Sequence, residues 1–254
     1  VGFCNRFAQS ATLYRQCRRR GDIGEVEHVE ANYIRRRGVP GLGSWFTDEE
    51  LAGGGALMDI GVHAVDLALH LADYPDVVEV TGETRCSVAT NSEYADPEGW
   101  ASRWDTSGDR LDVDDAASAF LRCADGTTIS LNVAWATNRR SDKEIHVVGS
   151  EAGAELEISG NDLTLLDTGV GEIDHFDDRT LSSDVDHDRH RIEDERFLAG
   201  VESDERPAMN TIEEGLEVQR VIDAIYTASR TGAAVSLDEA STNRPSNASV
   251  SAPE

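Results

Sequence analysis

The chain has 254 residues, and its 49 Asp plus Glu against 23 Lys plus Arg give a formal charge of 23 − 49 = −26. So acidic a surface repels phosphate backbones and anionic lipid, which excludes a nucleic-acid binder or a membrane-surface binder. Hydrophobic residues make up 39 % of the chain, enough for a packed core, and the length suits one large domain or two smaller ones.

Val1-Gly2-Phe3-Cys4 reads as a strand entered in mid-course, followed by a helix over about 8–20 that Gly21 closes. Residues 25–34 alternate as a strand, 35–44 form a loop rich in Arg, Gly and Pro, and a long helix runs from about 55 to 72. The pattern then changes to period two, with strands expected at 77–80, 117–123, 127–134, 144–148, 154–158 and 163–166. Ala124-Asp125-Gly126 and Ser159-Gly160-Asn161-Asp162 mark hairpin turns between them. Strands so spaced predict an α+β fold built on one large, mostly antiparallel sheet with flanking helices. Two helices close the fold, at about 187–200 and at 211–231. In the second, Ile212, Leu216, Val218, Val221, Ile222 and Ile225 form the apolar side, and Glu213, Glu214, Glu217, Arg220, Asp223 and Arg230 the exposed one. The polar residues beyond 239 read as a disordered tail.

Only Lys143 among the 23 bases is lysine, leaving 23 − 1 = 22 arginines. A high-salt cytoplasm accounts for this together with the acidity, because molar potassium shortens the Debye length to about 3 Å and makes dense carboxylates tolerable. A G+C-rich genome is the alternative for the missing lysine alone. On the halophilic reading the melting temperature rises from dilute buffer to molar KCl; greatest stability in dilute buffer overturns it. Cys4, Cys17, Cys86 and Cys123 lie far apart without a C-x-x-C pair, as expected of free thiols in a reducing cytoplasm. No stretch approaches 18 uninterrupted apolar residues, so no membrane partner is expected.

The chemistry concentrates in Gly53-Gly54-Gly55-Ala56-Leu57-Met58-Asp59-Ile60-Gly61-Val62-His63-Ala64-Val65-Asp66. Asp59 and His63 are four apart and share a helix face, where a carboxylate tunes an imidazole for acid–base work near pH 7; Asp66 and His70 continue the stripe. Between Leu51 and Ala72 the only formally charged side chains are Asp59 and Asp66, so the helix is expected to be buried on most sides. Gly61, unfavourable in a helix by about 1 kcal/mol, is expected where a flat object lies close. No G-x-G-x-x-G and no Gly-Lys-Ser/Thr loop occurs, so no nucleotide site is visible. The acids and histidines of 174–194 read as a solvated acidic loop in preference to a metal site, and the runs Arg18–20 and Arg35–37 as partners of nearby carboxylates.

The segment Arg37-Gly38-Val39-Pro40-Gly41, Trp45-Phe46 and the Gly53-to-Asp66 run resembles the signature of the Gfo/Idh/MocA oxidoreductases, the glucose-fructose oxidoreductase and inositol dehydrogenase family. Asn5-Arg6-Phe7, Val148-Gly149-Ser150-Glu151-Ala152-Gly153, Glu195-Arg196-Phe197 and Ala224-Ile225-Tyr226 extend the resemblance over about 1–237. It implies an NAD- or NADP-dependent enzyme moving a hydride between nicotinamide and a sugar, cyclitol or related polyol. His63 would relay the proton, Asp59 bind substrate and tune His63, Trp45 contact substrate, and Arg6 and Gly61 lie on the cofactor side. For Arg6, a surface arginine at a strand end is the equal alternative. The family's preceding Rossmann domain, with its glycine fingerprint and Glu-Lys-Pro motif, has no counterpart within 1–254. The resemblance therefore implies a C-terminal portion, inactive alone, divided into a cofactor-domain remnant (1–22), a substrate and oligomerisation domain (23–239) and the tail (240–254). The open sheet face would join copies into a dimer or tetramer. A non-catalytic sugar-binding or dimerisation module is the alternative.

Overall fold

The computed structural model describes residues 1–100, 111–183, 187–203, 206 and 208–237; the expected tail lies outside them. Nine strands form one sheet: β1 (Val26–Ile34), β2 (Val77–Arg85), β3 (Ala116–Cys123), β4 (Thr128–Ala134), β5 (Glu144–Gly149), β6 (Gly153–Glu157), β7 (Leu163–Leu166), β10 (Arg179–Leu181) and β11 (Val235–Ser236). Their spatial order is β10-β7-β6-β5-β1-β4-β3-β2-β11, and β8 (Thr168–Gly169) pairs with β9 (His175–Phe176) apart from it. Every pairing in the large sheet is antiparallel except β1 with β4, which runs parallel from His28 opposite Thr128 to Ile34 opposite Ala134.

Period-two alternation sorts the sheet into two faces. Val29, Ala31, Ile129, Leu131, Val133, Ile145, Val147, Leu156 and Leu165 are buried under the helices. The opposite face is polar, with His28, Ser130 and His146, and leaves Phe120 and Val148 exposed.

The helix layer comprises α1 (Gln9–Arg20), α2 (Glu49–Ala52), α3 (Val62–Leu71), α4 (Arg189–Ser203) and α5 (Ile212–Thr231). Helix α1 ends at Gly21, whose φ of 84° gives a left-handed cap. It buries Ala11, Tyr14 and Cys17, and the Tyr14 hydroxyl donates to the Leu71 carbonyl at 3.1 Å, tying α1 to the end of α3. Helix α5 begins with a capping box between Thr211 and Glu214. Its packed side is Val218, Val221, Ile222 and Ile225, whereas Ile212 and Leu216 are exposed. Glu217, expected on the outside, is buried and accepts from Arg220 at 3.2 Å.

Two sequence expectations change. Residues 1–3 lie outside any strand, and Cys4–Phe7 closes a 3₁₀ turn. The long helix is not uniform: Leu57–Gly61 forms a π-turn that runs directly into α3. By length and composition Glu49–Leu71 suits a membrane span, yet 61 % of its most apolar stretch is buried inside this chain, as in a core helix.

Candidate active site on the central helix

The start of the central helix is clamped by a residue just ahead of β3. Asp114 accepts the Gly55 and Leu57 amides on its two carboxylate oxygens, each at 2.8 Å, and the Ala56 amide on its carbonyl at 2.9 Å. A carboxylate here satisfies orphan donors and complements the helix dipole. The Tyr226 hydroxyl of α5 donates to the same carboxylate at 2.7 Å. A Cβ on Gly54 would overlap the Tyr226 hydroxyl, and one on Gly55 the Asp114 backbone, so these glycines admit the clamp.

Asp59 lies in the π-turn and is half-buried. Its Oδ2 accepts the indole N–H of Trp135 at 2.9 Å; Trp135 is fully buried, just beyond β4, and its own amide donates to the Asp115 carbonyl at 2.8 Å. His63 follows, half-buried, with the Phe3 ring edge-on at a centroid distance of 6.2 Å. Its Nδ1 is buried and has no hydrogen-bond partner among the described residues. Burial pushes the His63 imidazole below the usual histidine value against the pull of the Asp59 charge, and Arg189, Arg35 and His190 add to the lowering. The ring is thus neutral near pH 7 and open to a proton. Asp59 and His63 share the site, as their spacing predicts, without a hydrogen bond between them. The π-turn widens the helix between them, so they are not stacked as at i and i+4 of a regular α-helix.

The rest of the expected stripe turns inward. Asp66 is buried and takes a two-pronged bond from Arg6, with Nε at 3.0 and 3.1 Å and Nη2 at 2.5 Å. Arg6 also donates from Nη1 to Glu214 at 2.7 Å and from Nη2 to the Tyr74 hydroxyl, which donates to Asp66 at 2.7 Å. Burial opposes the guanidinium's charge, but the Asp66 hydrogen bond and the surrounding Asp66, Tyr74 and Glu214 charges outweigh it and raise its pKa above the ordinary arginine value. Burial likewise pushes the Asp66 carboxyl up, yet a locked guanidinium facing it two-pronged holds it ionised. Arg6, expected on the cofactor side or at the surface, has 0 % side-chain exposure and is an internal pin.

Gly61 is also internal: a Cβ there would press on the Leu57 side chain one turn back at 2.8 Å and only touch Val133 of β4 at 3.5 Å, so what it makes room for is its own helix's Leu57. Of the two residues assigned to a dinucleotide, Arg6 is committed to Asp66 and Glu214 and Gly61 is buried. Trp45 is 54 % exposed and stacks on Phe46 at 3.8 Å; no described hydrogen bond or ring contact joins it to Asp59 or His63. Among the described residues Arg35 and Arg37 lie over aromatic rings and donate to backbone carbonyls, whereas Arg18 and Arg20 pair with acids.

His70 is 5 % exposed, and burial, then the charges of Arg6 and Arg15, push it down to about 3. The folded ring stays neutral while the unfolded chain takes up a proton near pH 6.5. Its contribution is therefore intact above about pH 6.5 and lost as pH falls toward 3. Urea unfolding at pH 7 and pH 5 should show stability falling by about 1 kcal/mol per unit, and His70→Gln should flatten that slope; an unchanged slope removes His70 as the cause.

Residues 12–155 match the family described as the GFO/IDH/MocA C-terminal domain, more than half of the chain. The chain belongs to the GFO/IDH/MocA family. It is 29 % identical over 238 residues to the D-glucoside 3-dehydrogenase of Escherichia coli, covering 92 % of this chain and 63 % of that protein. It is 31 % identical over 222 residues to D-xylose 1-dehydrogenase (NADP(+)) 2 of Haloferax volcanii, covering 85 % and 58 %. A crystal structure of an oxidoreductase domain protein from Kribbella flavida superposes with a TM-score of 0.75 at 25 % identity, over 94 % of this chain and 65 % of that one. The chain thus spans less than two thirds of the length of these relatives. The GFO/IDH/MocA match includes Asp59, His63, Asp114 and Trp135. Sequence reading missed the last two; their signals are adjacent acids at the mouth of a strand and an aromatic with a polar handle at the end of another.

Proposed function

We propose that this chain is the substrate-binding part of a nicotinamide-dependent oxidoreductase acting on a secondary or anomeric hydroxyl of a sugar, cyclitol or related polyol. The observation that carries the reading is a neutral imidazole, His63, beside an immobilised carboxylate, Asp59, on the half-buried face of a helix otherwise anchored in the core. His63 takes the proton of the reacting hydroxyl in oxidation and returns it in reduction. Asp59 accepts a hydrogen bond from a hydroxyl on Oδ1, which has no hydrogen-bond partner among the described residues. Trp45 offers an exposed indole face to the sugar ring. A nicotinamide dinucleotide supplies the hydride acceptor when bound; the residues of this chain bind, orient and move the proton. The open sheet face, with Phe120 and Val148 exposed, is the self-association surface in this reading.

The relatives' names support a sugar substrate, and NADP(+) stands in one of them. The test is reduction of NAD⁺ and NADP⁺ at 340 nm by the protein encoded by the whole reading frame, across glucosides, aldoses, inositols and linear polyols. Turnover of at least one supports the reading. Saturable sugar binding without turnover of any leaves the non-catalytic sugar-binding module in its place.

A further inference from the structure

Trp135 occupies a position that packing alone does not explain. It is 0 % exposed, and a buried indole N–H needs an acceptor. The acceptor is Asp59 Oδ2 at 2.9 Å, reached across 76 residues of sequence, although a phenyl ring at 135 would fill apolar space without any such demand. The indole is itself held, because the Trp135 amide donates to the Asp115 carbonyl and Ala134 before it is paired with Ile34 in the parallel register of β1 and β4. The Asp59 carboxylate is thus tied to the rigid end of the sheet while its backbone belongs to a π-turn.

Among the described residues, the groups that bear on the His63 ring are Asp59 from its own helix, Arg35 beyond β1, Arg189 and His190 from α4, and the Phe3 ring edge-on. Asp59 is the one anion among them. The Asp59 charge already favours the protonated ring, so a carboxylate free to turn closer would stabilise the imidazolium further and cost the ring its capacity to accept a proton near neutrality.

We propose that Trp135 is a positioning residue of the site: its indole N–H fixes Oδ2 of Asp59, holds the carboxylate off the His63 imidazole and leaves Oδ1 for a substrate hydroxyl. The inference rests on the sugar-oxidoreductase reading for its last clause only.

The experiment follows the His63 ring carbon by NMR from pH 4 to 9 in the full chain with labelled histidine and neither sugar nor cofactor present. Trp135 is replaced by Phe, and separately by 3-benzothienylalanine, which keeps the shape and area of indole but has no N–H donor. The isostere keeps the test available if Trp135→Phe does not fold. In both, the His63 midpoint should rise by about one pH unit as the carboxylate turns to the ring. With 5-fluorotryptophan at 135, which keeps the donor, it should stay in place. Adding Asp59→Asn to the isostere should abolish the rise, because the effect runs through that carboxylate; a general loosening of structure would not need Asp59. A midpoint unmoved by the isostere, or one that moves equally without Asp59, overturns the proposal. Because the measurement involves no turnover, a shifted midpoint in a chain inactive on every sugar sinks the functional reading alone, and an unmoved midpoint in an active enzyme sinks this inference alone.

Discussion

Arg6→Met should lower the unfolding free energy by about 3–5 kcal/mol, the loss expected when one partner of a buried ion pair is removed. The size follows from what is left behind. Asp66 is 0 % exposed, and without Arg6 the Tyr74 hydroxyl is the one donor its carboxylate keeps among the described residues. Glu214, also bonded to Arg6, is the N3 residue of the α5 capping box and accepts the Thr211 amide at 2.9 Å, so the substitution loosens that helix start as well. One guanidinium thereby joins the Cys4–Phe7 turn, α3, the Tyr74 segment and α5. Arg6→Met with Asp66→Leu should recover much of the loss, since an apolar pair of similar volume carries no stranded charge. Urea unfolding followed by circular dichroism reads both; a loss under 1 kcal/mol for the single variant contradicts the pin.

That pin marks where sequence reading stops. Val1 to Cys4 looks like a strand because short apolar runs do, and Asn5-Arg6 then looks like its exposed end. The decisive fact, that the partners of Arg6 lie 60 and 208 residues away, is tertiary and leaves no local trace. The sheet was legible because burial on one face imposes period two on each strand whatever its neighbours are. Asp59 and His63 were legible because two ionisable groups at helical spacing stand out in a segment otherwise stripped of charge. Trp135 and Asp114 were not, since their meaning comes from Asp59 and from the helix amides 76 and 59 or 57 residues away. Gly54, Gly55 and Gly61 announce a close approach without naming what approaches. A tyrosine hydroxyl, an aspartate backbone and a leucine methyl of the same helix answer here.

On the proposed function, His63→Ala should lower kcat by about 10²–10⁴, the usual worth of a positioned proton carrier. The loss should fall on kcat more than on KM, because the imidazole acts on a proton in flight while Asp59 still binds the sugar. The pH profile gives the sharper readout. In the oxidation direction the neutral ring is the active form, and burial lowers its pKa from the ordinary histidine value, so kcat/KM should rise with pH through a midpoint below that of a free imidazole and then level off. In reduction the protonated ring is required and the dependence inverts, the rate falling as pH rises through that same midpoint. His63→Ala should remove both limbs. An acid limb that persists in the variant would assign the proton to another group, and unchanged turnover would take His63 out of the chemistry. Thermal melting of the variant separates this from unfolding: the half-buried ring has a buried Nδ1 without a partner among the described residues, so its removal should leave the melting temperature within a few degrees of the parent.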